Sequence, residues 1–359
     1  MTKMSIENFI NATRRNLEER ADPKIYQHFH PLIDFILRGS SEVKLKICYS
    51  PERRTELVVA NNEKYLIYDQ YFGQTLSNIS RIVYESESAA FGFNYACKIL
   101  AEYFSMKSAF KEAELFARIH SVDDNKLSNI KKFKQPTDER LYSVFYQERF
   151  LCAHEIIHHM NHQNESIFIS AQEIVELYFE QSEIRKKIFV EIATREGIDL
   201  TDEMLDARYP MLDSVENSLI DEMTCDMIAL DLVSMTSELY GSDQYSIAAL
   251  GCFQALKSLQ LVSILRMAVE QYCDGDTEPR SLQVLNNDYQ LRAGVLNWLC
   301  NNPELWCVEK RDPIVHEIGG YLDRFHDNFA TVALSLAELV INRGEVLNLL
   351  ENLEGVHPR

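Results

Sequence analysis

Glycine and proline are scarce in this chain, at 12 and 9 of 359 residues. That is too few for the many tight turns of an all-β sandwich. Cysteine occurs eight times, but the residues are scattered and never form a Cys-x-x-Cys pair. A secreted disulfide scaffold would be shorter and denser in cysteine, so free thiols in a reducing compartment are expected. Basic residues are outnumbered, with 36 Lys and Arg against 55 Asp and Glu and a net charge of −19. This balance argues against a phosphate-binding face, and the basic stretch 131–134 is too short to supply one, so no nucleic-acid partner is expected. Long apolar runs are missing too. The longest uncharged stretch, about Gln244 to Leu256, falls short of the roughly 20 residues that cross a bilayer. The first residues lack the apolar core of a signal peptide, and a cytoplasmic location with no membrane contact is the expectation. What the chain does have is a 46% hydrophobic content with 17 Tyr and 18 Phe, enough to build a sizeable core.

The apolar periodicity predicts an α+β fold in which helix dominates. Two short helices are expected at about Ser5–Arg20 and Lys24–Leu37. A small, mostly antiparallel sheet follows over about 42–85. Its strands are expected at Val43–Ile47, Glu56–Ala60 and Lys64–Tyr68, with a further one at Arg81–Tyr84. Asn61-Asn62-Glu63 reads as a hairpin turn because Asn tolerates positive φ. That hairpin is also a candidate edge on which an extended peptide could align. Beyond it the spacing predicts helices at roughly 86–105, 110–119, 137–162, 167–195, 212–239, 244–273, 281–300 and 312–353. The implied division is an N-terminal helical segment (1–40), a central domain (41–240) and a C-terminal helical region (241–359) packed on it.

Four of the ten histidines lie within nine residues, at 154, 158, 159 and 162. His154-Glu155-Ile156-Ile157-His158 is an H-E-x-x-H sequence inside a predicted helix. Residues four apart share a helix face, so both imidazoles can meet one Zn²⁺, while Glu155 sits about 100° round the helix within reach of a water. His159 and His162 read as solvated helix-end residues, because a catalytic zinc keeps one position open. A third ligand is needed. The metzincin spacing fails at Asn161 and Asn164, and the short aminopeptidase spacing fails at Leu177 and Tyr178. Between 160 and 240 only Glu222 is followed four residues later by Asp, at Asp226. Both interrupt an apolar stripe of Val215, Leu219, Ala229 and Val233, and burying two carboxylates without partners would cost several kcal/mol each. Two facing histidines with a divalent cation would offset that cost, as would a buried Arg or Lys from elsewhere in the chain.

His154–His158 followed by Glu222-Met223-Thr224-Cys225-Asp226-Met227-Ile228-Ala229 resembles the H-E-x-x-H … E-x-x-A-D-x-x-A arrangement of the gluzincin metallopeptidases. Cys225 stands where that family has a small Ala. The resemblance covers about 140–240 and is closest in character to soluble bacterial members, such as phage-exclusion peptidases and those that cut phage-type repressors. It implies a zincin-like domain, Zn²⁺ as cofactor, His154, His158 and Glu222 as ligands, Glu155 as general base and Asp226 as the support of a ligand His. The activity implied is hydrolysis of a protein substrate in a stress or phage response. The alternative is a peptidase-like helical regulator that no longer turns over. His316 and Tyr240, with Tyr321 and His326 behind them, are candidate oxyanion donors, since acyl transfer needs one. Residues 170–232 hold 16 acidic against 5 basic side chains, which favours a basic substrate segment.

Overall fold

The computed structural model describes residues 16–17, 29, 32–33, 43–85, 89–127, 138–160, 165–196, 198–201, 205, 209, 212, 215–237, 245–275, 282–305 and 315–355. The fold is α+β and helix-dominant, as its periodicity predicts. Strands β1 (Asn16–Leu17), β2 (Val43–Tyr49), β3 (Glu56–Ala60) and β4 (Glu63–Asp69) form one sheet in the order β1-β2-β4-β3. β3 and β4 make the expected hairpin. Ala60 pairs with Glu63, and Asn61 and Asn62 take φ of 55° and 65°, the left-handed pair that a two-residue turn requires. β2 pairs with β4 in parallel, while β1–β2 and β3–β4 are antiparallel. β4 is therefore internal, which removes it as a docking edge. Among the described residues the far edge of the sheet is β3.

Three expectations need correcting. The helix expected over Ser5–Arg20 is described only at Asn16–Leu17, which is extended and pairs with Tyr49 and Cys48, covering the edge of β2. The strand expected at Arg81–Tyr84 is the end of a helix, α1 (Gln70–Glu85). The β-branched pair Ile82-Val83 suggests a strand, but Phe72, Leu76, Ile79 and Val83 are all buried at helical spacing, and tertiary burial outweighs β propensity. The single helix expected over 312–353 is broken into α9 (Val315–Phe325), a π turn (His326–Ala330), α10 (Thr331–Ile341) and α11 (Arg343–Gly355).

The remaining helices are α2 (Ala89–Met106), α3 (Phe110–Leu127), α4 (Asp138–Met160), α5 (Glu165–Arg195), α6 (Asn217–Ser237), α7 (Tyr245–Asp274) and α8 (Leu282–Asn301); they follow the expected spans closely except α3, which runs to Leu127 where an end at 119 is expected. One apolar core runs from Phe29 to Val346, crossing the division expected at 240/241, which itself falls outside the described residues. α7 is its axis and packs on α4, α6, α8 and α10. By length and composition its Ser246–Asp274 stretch is apolar enough to cross a membrane, but 78% of that apolar window is buried inside the fold. Lys257 ends the uncharged run. It is buried, and its ammonium donates to Gln260 and Gln290, each at 3.1 Å, while desolvation pulls its pKa down to about 8. α4 is held between α7, α6, α1 and the β3–β4 hairpin, so the histidine motif sits where sheet and helices meet.

Candidate metal centre

α4 carries His154, Glu155 and His158, and α6 packs across it with Glu222, Cys225 and Asp226. α4 is covered on nearly every side, with Phe150, Leu151, Cys152, Ala153, Ile156 and Ile157 all buried, and α6 packed across it brings Glu222 and Asp226 to the two histidines. The Nε2 atoms of His154 and His158 face each other at 2.9 Å. Glu222 closes the group, with Oε1 3.1 Å from His158 Nε2 and Oε2 3.3 Å from His154 Nε2. One ligand atom from each of the three residues lies within 4.8 Å of the others, so the group can hold a metal ion.

The outer ring atoms decide whether these residues fit a cation. His154 Nδ1 lies 2.9 Å from Asp226 Oδ1, an ion-pair contact rather than an aligned hydrogen bond. His158 Nδ1 lies 3.5 Å from Cys225 Sγ. With Asp226 and Cys225 beside the two Nδ1 atoms, both Nε2 atoms are turned toward the Glu222 carboxylate, and in the tautomer with both Nε2 unprotonated three acceptors converge. Acceptors facing acceptors repel one another unless a cation sits among them, and in its absence a proton takes the place. That is the meaning of the titration behaviour. Burial works against charge on His154, but the Asp226 and Glu222 carboxylates outweigh it and push its pKa up to about 9. Burial likewise raises Glu222, yet hydrogen bonds from both histidines and the Arg292 charge carry it well below the usual carboxylate range.

A residue that the sequence reading did not name completes the centre. Arg292 on α8 donates from Nε to Asp226 Oδ2 at 2.7 Å and from Nη2 to Asp226 Oδ1 at 2.8 Å. Its Nη1 lies 2.9 Å from Glu222 Oε2. One guanidinium thus ties both α6 carboxylates together, the bidentate geometry that suits Arg and not Lys. Both ways of satisfying the buried acids, facing histidines and a buried Arg, are present at once. The signal was indirect, since a buried Asp demands a cation without saying which one. Desolvation opposes the charge on Asp226, but Arg292 and His154 keep its carboxyl below the ordinary value.

Glu155 faces a cleft of about 540 Å³ that also exposes His154, His158, Glu222 and Arg292. Burial holds its carboxyl above the ordinary value, with the neighbouring histidines pulling the other way. His159 lines the same cleft. Tyr240 and His162 fall outside the described residues, as does the side chain of His316, which belongs to α9. Tyr321 is buried against Tyr84, Phe253 and Phe325, and His326 is exposed on the π turn; neither lines the cleft. Tyr289 on α8 does, with its hydroxyl 3.0 Å from Ser263 Oγ.

Two turns before Glu155 on α4, Glu148 hydrogen-bonds the Tyr68 hydroxyl, and burial lifts its pKa from 4.5 to about 7 against the pull of that bond. Between those values the folded chain holds a proton that the unfolded chain has lost. Stability therefore falls as pH rises from about 4.5 to about 7 and stays lower above. Glu148→Gln is expected to remove this dependence, raising stability above pH 7 by at most about 3 kcal/mol, and less where the half-buried side chain meets water. Urea unfolding at pH 5 and pH 8 checks it: an equal effect at both would disprove the assignment.

No protein-family model, no curated protein and no solved structure matches this chain, so what can be said of its chemistry rests on the geometry of this centre.

Proposed function

We propose that this chain is a zinc-dependent endopeptidase, with His154, His158 and Glu222 as the metal ligands and Glu155 as general base. The observation that carries the reading is the convergence of two imidazole Nε2 atoms and a carboxylate beside a glutamate in an open cleft. Two histidines and one carboxylate are the ligand set of hydrolytic zinc sites, which leaves a position for water. When bound, zinc supplies a Lewis acid for the peptide carbonyl and draws the pKa of a water toward about 7. Glu155 then takes the proton of the attacking water and delivers it to the leaving amine. A carboxyl raised by burial suits that exchange, because it is a stronger base than an ordinary one. Asp226 fixes the His154 ring, Cys225 lies against the outer nitrogen of His158, and Arg292 holds Glu222 and Asp226 in register.

Metal analysis tests this directly. The purified chain is expected to carry about one zinc, and Glu222→Ala and His158→Ala to lose it. A chain that binds no divalent metal sinks the proposal. A second reading, a helical regulator without metal, draws on one observation: Arg292 Nη1 already sets a positive charge 2.9 Å from Glu222. The same measurement separates the two.

A further inference from the structure

The charge count over 170–232 favours a basic substrate, but the side chains that wall the cleft favour the opposite. Outside the metal centre the charged residues with elongated side chains lining it are Glu52, Arg53, Arg54 and Arg266. In a chain with a net charge of −19, this wall concentrates guanidiniums, although each of the three is paired with a carboxylate, that of Glu102, Glu56 and Glu270 in turn. Clefts with low-dielectric walls focus the field of such groups onto whatever enters them.

The loop that carries Arg54 is built to stay in place. Ser50 N–H donates to Asp69 Oδ1 at 3.1 Å, and Glu52 N–H to Ser50 Oγ at 3.1 Å. Arg53 adopts φ 54°, a left-handed conformation that a non-glycine residue holds only when its surroundings enforce it. They do. Its guanidinium is buried between Tyr71 and Tyr103, donates to Thr75 Oγ1 at 3.0 Å and to the Pro51 carbonyl at 2.9 Å, and pairs with Glu102. Arg53 is thus consumed in anchoring the loop, and the next residue, Arg54, is left exposed at the cleft. Arg54 and Glu155 line the same cleft.

Arg266 approaches from α7. Only its Nε is engaged, with Glu270 at 2.8 Å one turn away; Arg54 likewise uses only Nε, with Glu56 at 3.3 Å. The Arg266–Glu270 pair, with both side chains about 40% exposed, is of the kind that contributes little to stability, whereas Arg54 is exposed and its partner Glu56 largely buried. The terminal N–H pairs of both guanidiniums have no partner among the described residues, and a carboxylate is the group that such a fork binds with two parallel hydrogen bonds.

We infer that Arg54 and Arg266 form a recognition site for a carboxylate of the bound peptide, either an Asp or Glu side chain or the terminal carboxylate. The inference rests on the peptidase reading for the nature of the ligand, and its test is arranged so that the two fail separately. The probes are short fluorescent peptides that contain Glu, or Gln in its place, each with a free or an amidated C-terminus. Binding is measured by anisotropy at low ionic strength on zinc-supplemented Glu155→Gln protein, in which turnover is expected to be slow. A carboxylate-bearing peptide is expected to bind about 10-fold or more tightly than its neutral counterpart. Arg54→Gln combined with Arg266→Gln is expected to erase that advantage, and the Lys pair to restore part of it. Sensitivity to Gln identifies a side-chain carboxylate; sensitivity to amidation identifies the terminal one. Equal binding of all four peptides, absence of binding, or preference for a Lys-containing control overturns the inference. If wild-type protein binds by this rule and cuts nothing, the carboxylate site stands and the peptidase reading falls.

Discussion

Replacing Glu155 by Gln is expected to lower turnover of a peptide substrate by about 10²–10⁴-fold while metal content stays unchanged. The separation follows from where Glu155 sits. The converging atoms belong to His154, His158 and Glu222, and Glu155 is not one of them, so the amide leaves the ligand set whole. It is nearly isosteric, so α4 keeps its packing against α6 and α7. What it loses is a carboxylate able to accept a proton from water and pass it on. Turnover compared at equal zinc loading reads the effect. Activity within a few-fold of wild type would remove Glu155 from the mechanism, and loss of zinc together with activity would show it to be a ligand instead.

Arg292→Met is expected to destabilise the fold by about 3–5 kcal/mol, the usual cost of leaving one member of a buried ion pair alone. Asp226 is 1% exposed and takes two hydrogen bonds from Arg292. Without that cation its only close positive neighbour among the described residues is His154, when protonated. The same logic predicts a rescue. Arg292→Met with Asp226→Leu is expected to recover part of the loss, because the fully buried acid is then gone and only Glu222, 35% exposed and still beside two histidines, lacks its guanidinium. Denaturant unfolding of the two variants checks the pair. Additive losses would show that Arg292 stabilises by packing and not by neutralising Asp226.

How much of this was legible beforehand depends on how local each signal is. The spacing of His154 and His158 needs nothing beyond one helix turn, and the structure keeps it. Glu222 and Asp226 were readable because two acids in an apolar stripe are physically anomalous, and the packing of α6 on α4 supplies the expected histidines. Arg292 was not readable. Nothing in Leu291-Arg292-Ala293 distinguishes it from a surface arginine, and its role exists only once α8 lies beside α6. The same holds for Arg54 and Arg266, which belong to one cleft but not to one stretch of sequence. In the sheet, the Asn61-Asn62 turn fixed the hairpin locally. The parallel placement of β2 beside β4 is a long-range choice that leaves no mark on alternating residues. α1 was misread because strand-favouring residues at 82 and 83 end a helix whose burial pattern begins at Phe72.

The guanidinium that neutralises Asp226 lies 66 residues farther along the chain. The histidines and carboxylates of α4 and α6 are therefore synthesised well before the side chain that neutralises Asp226. A product that stops short of α8 would bury Asp226 without its guanidinium and is expected to fold less stably than the whole chain.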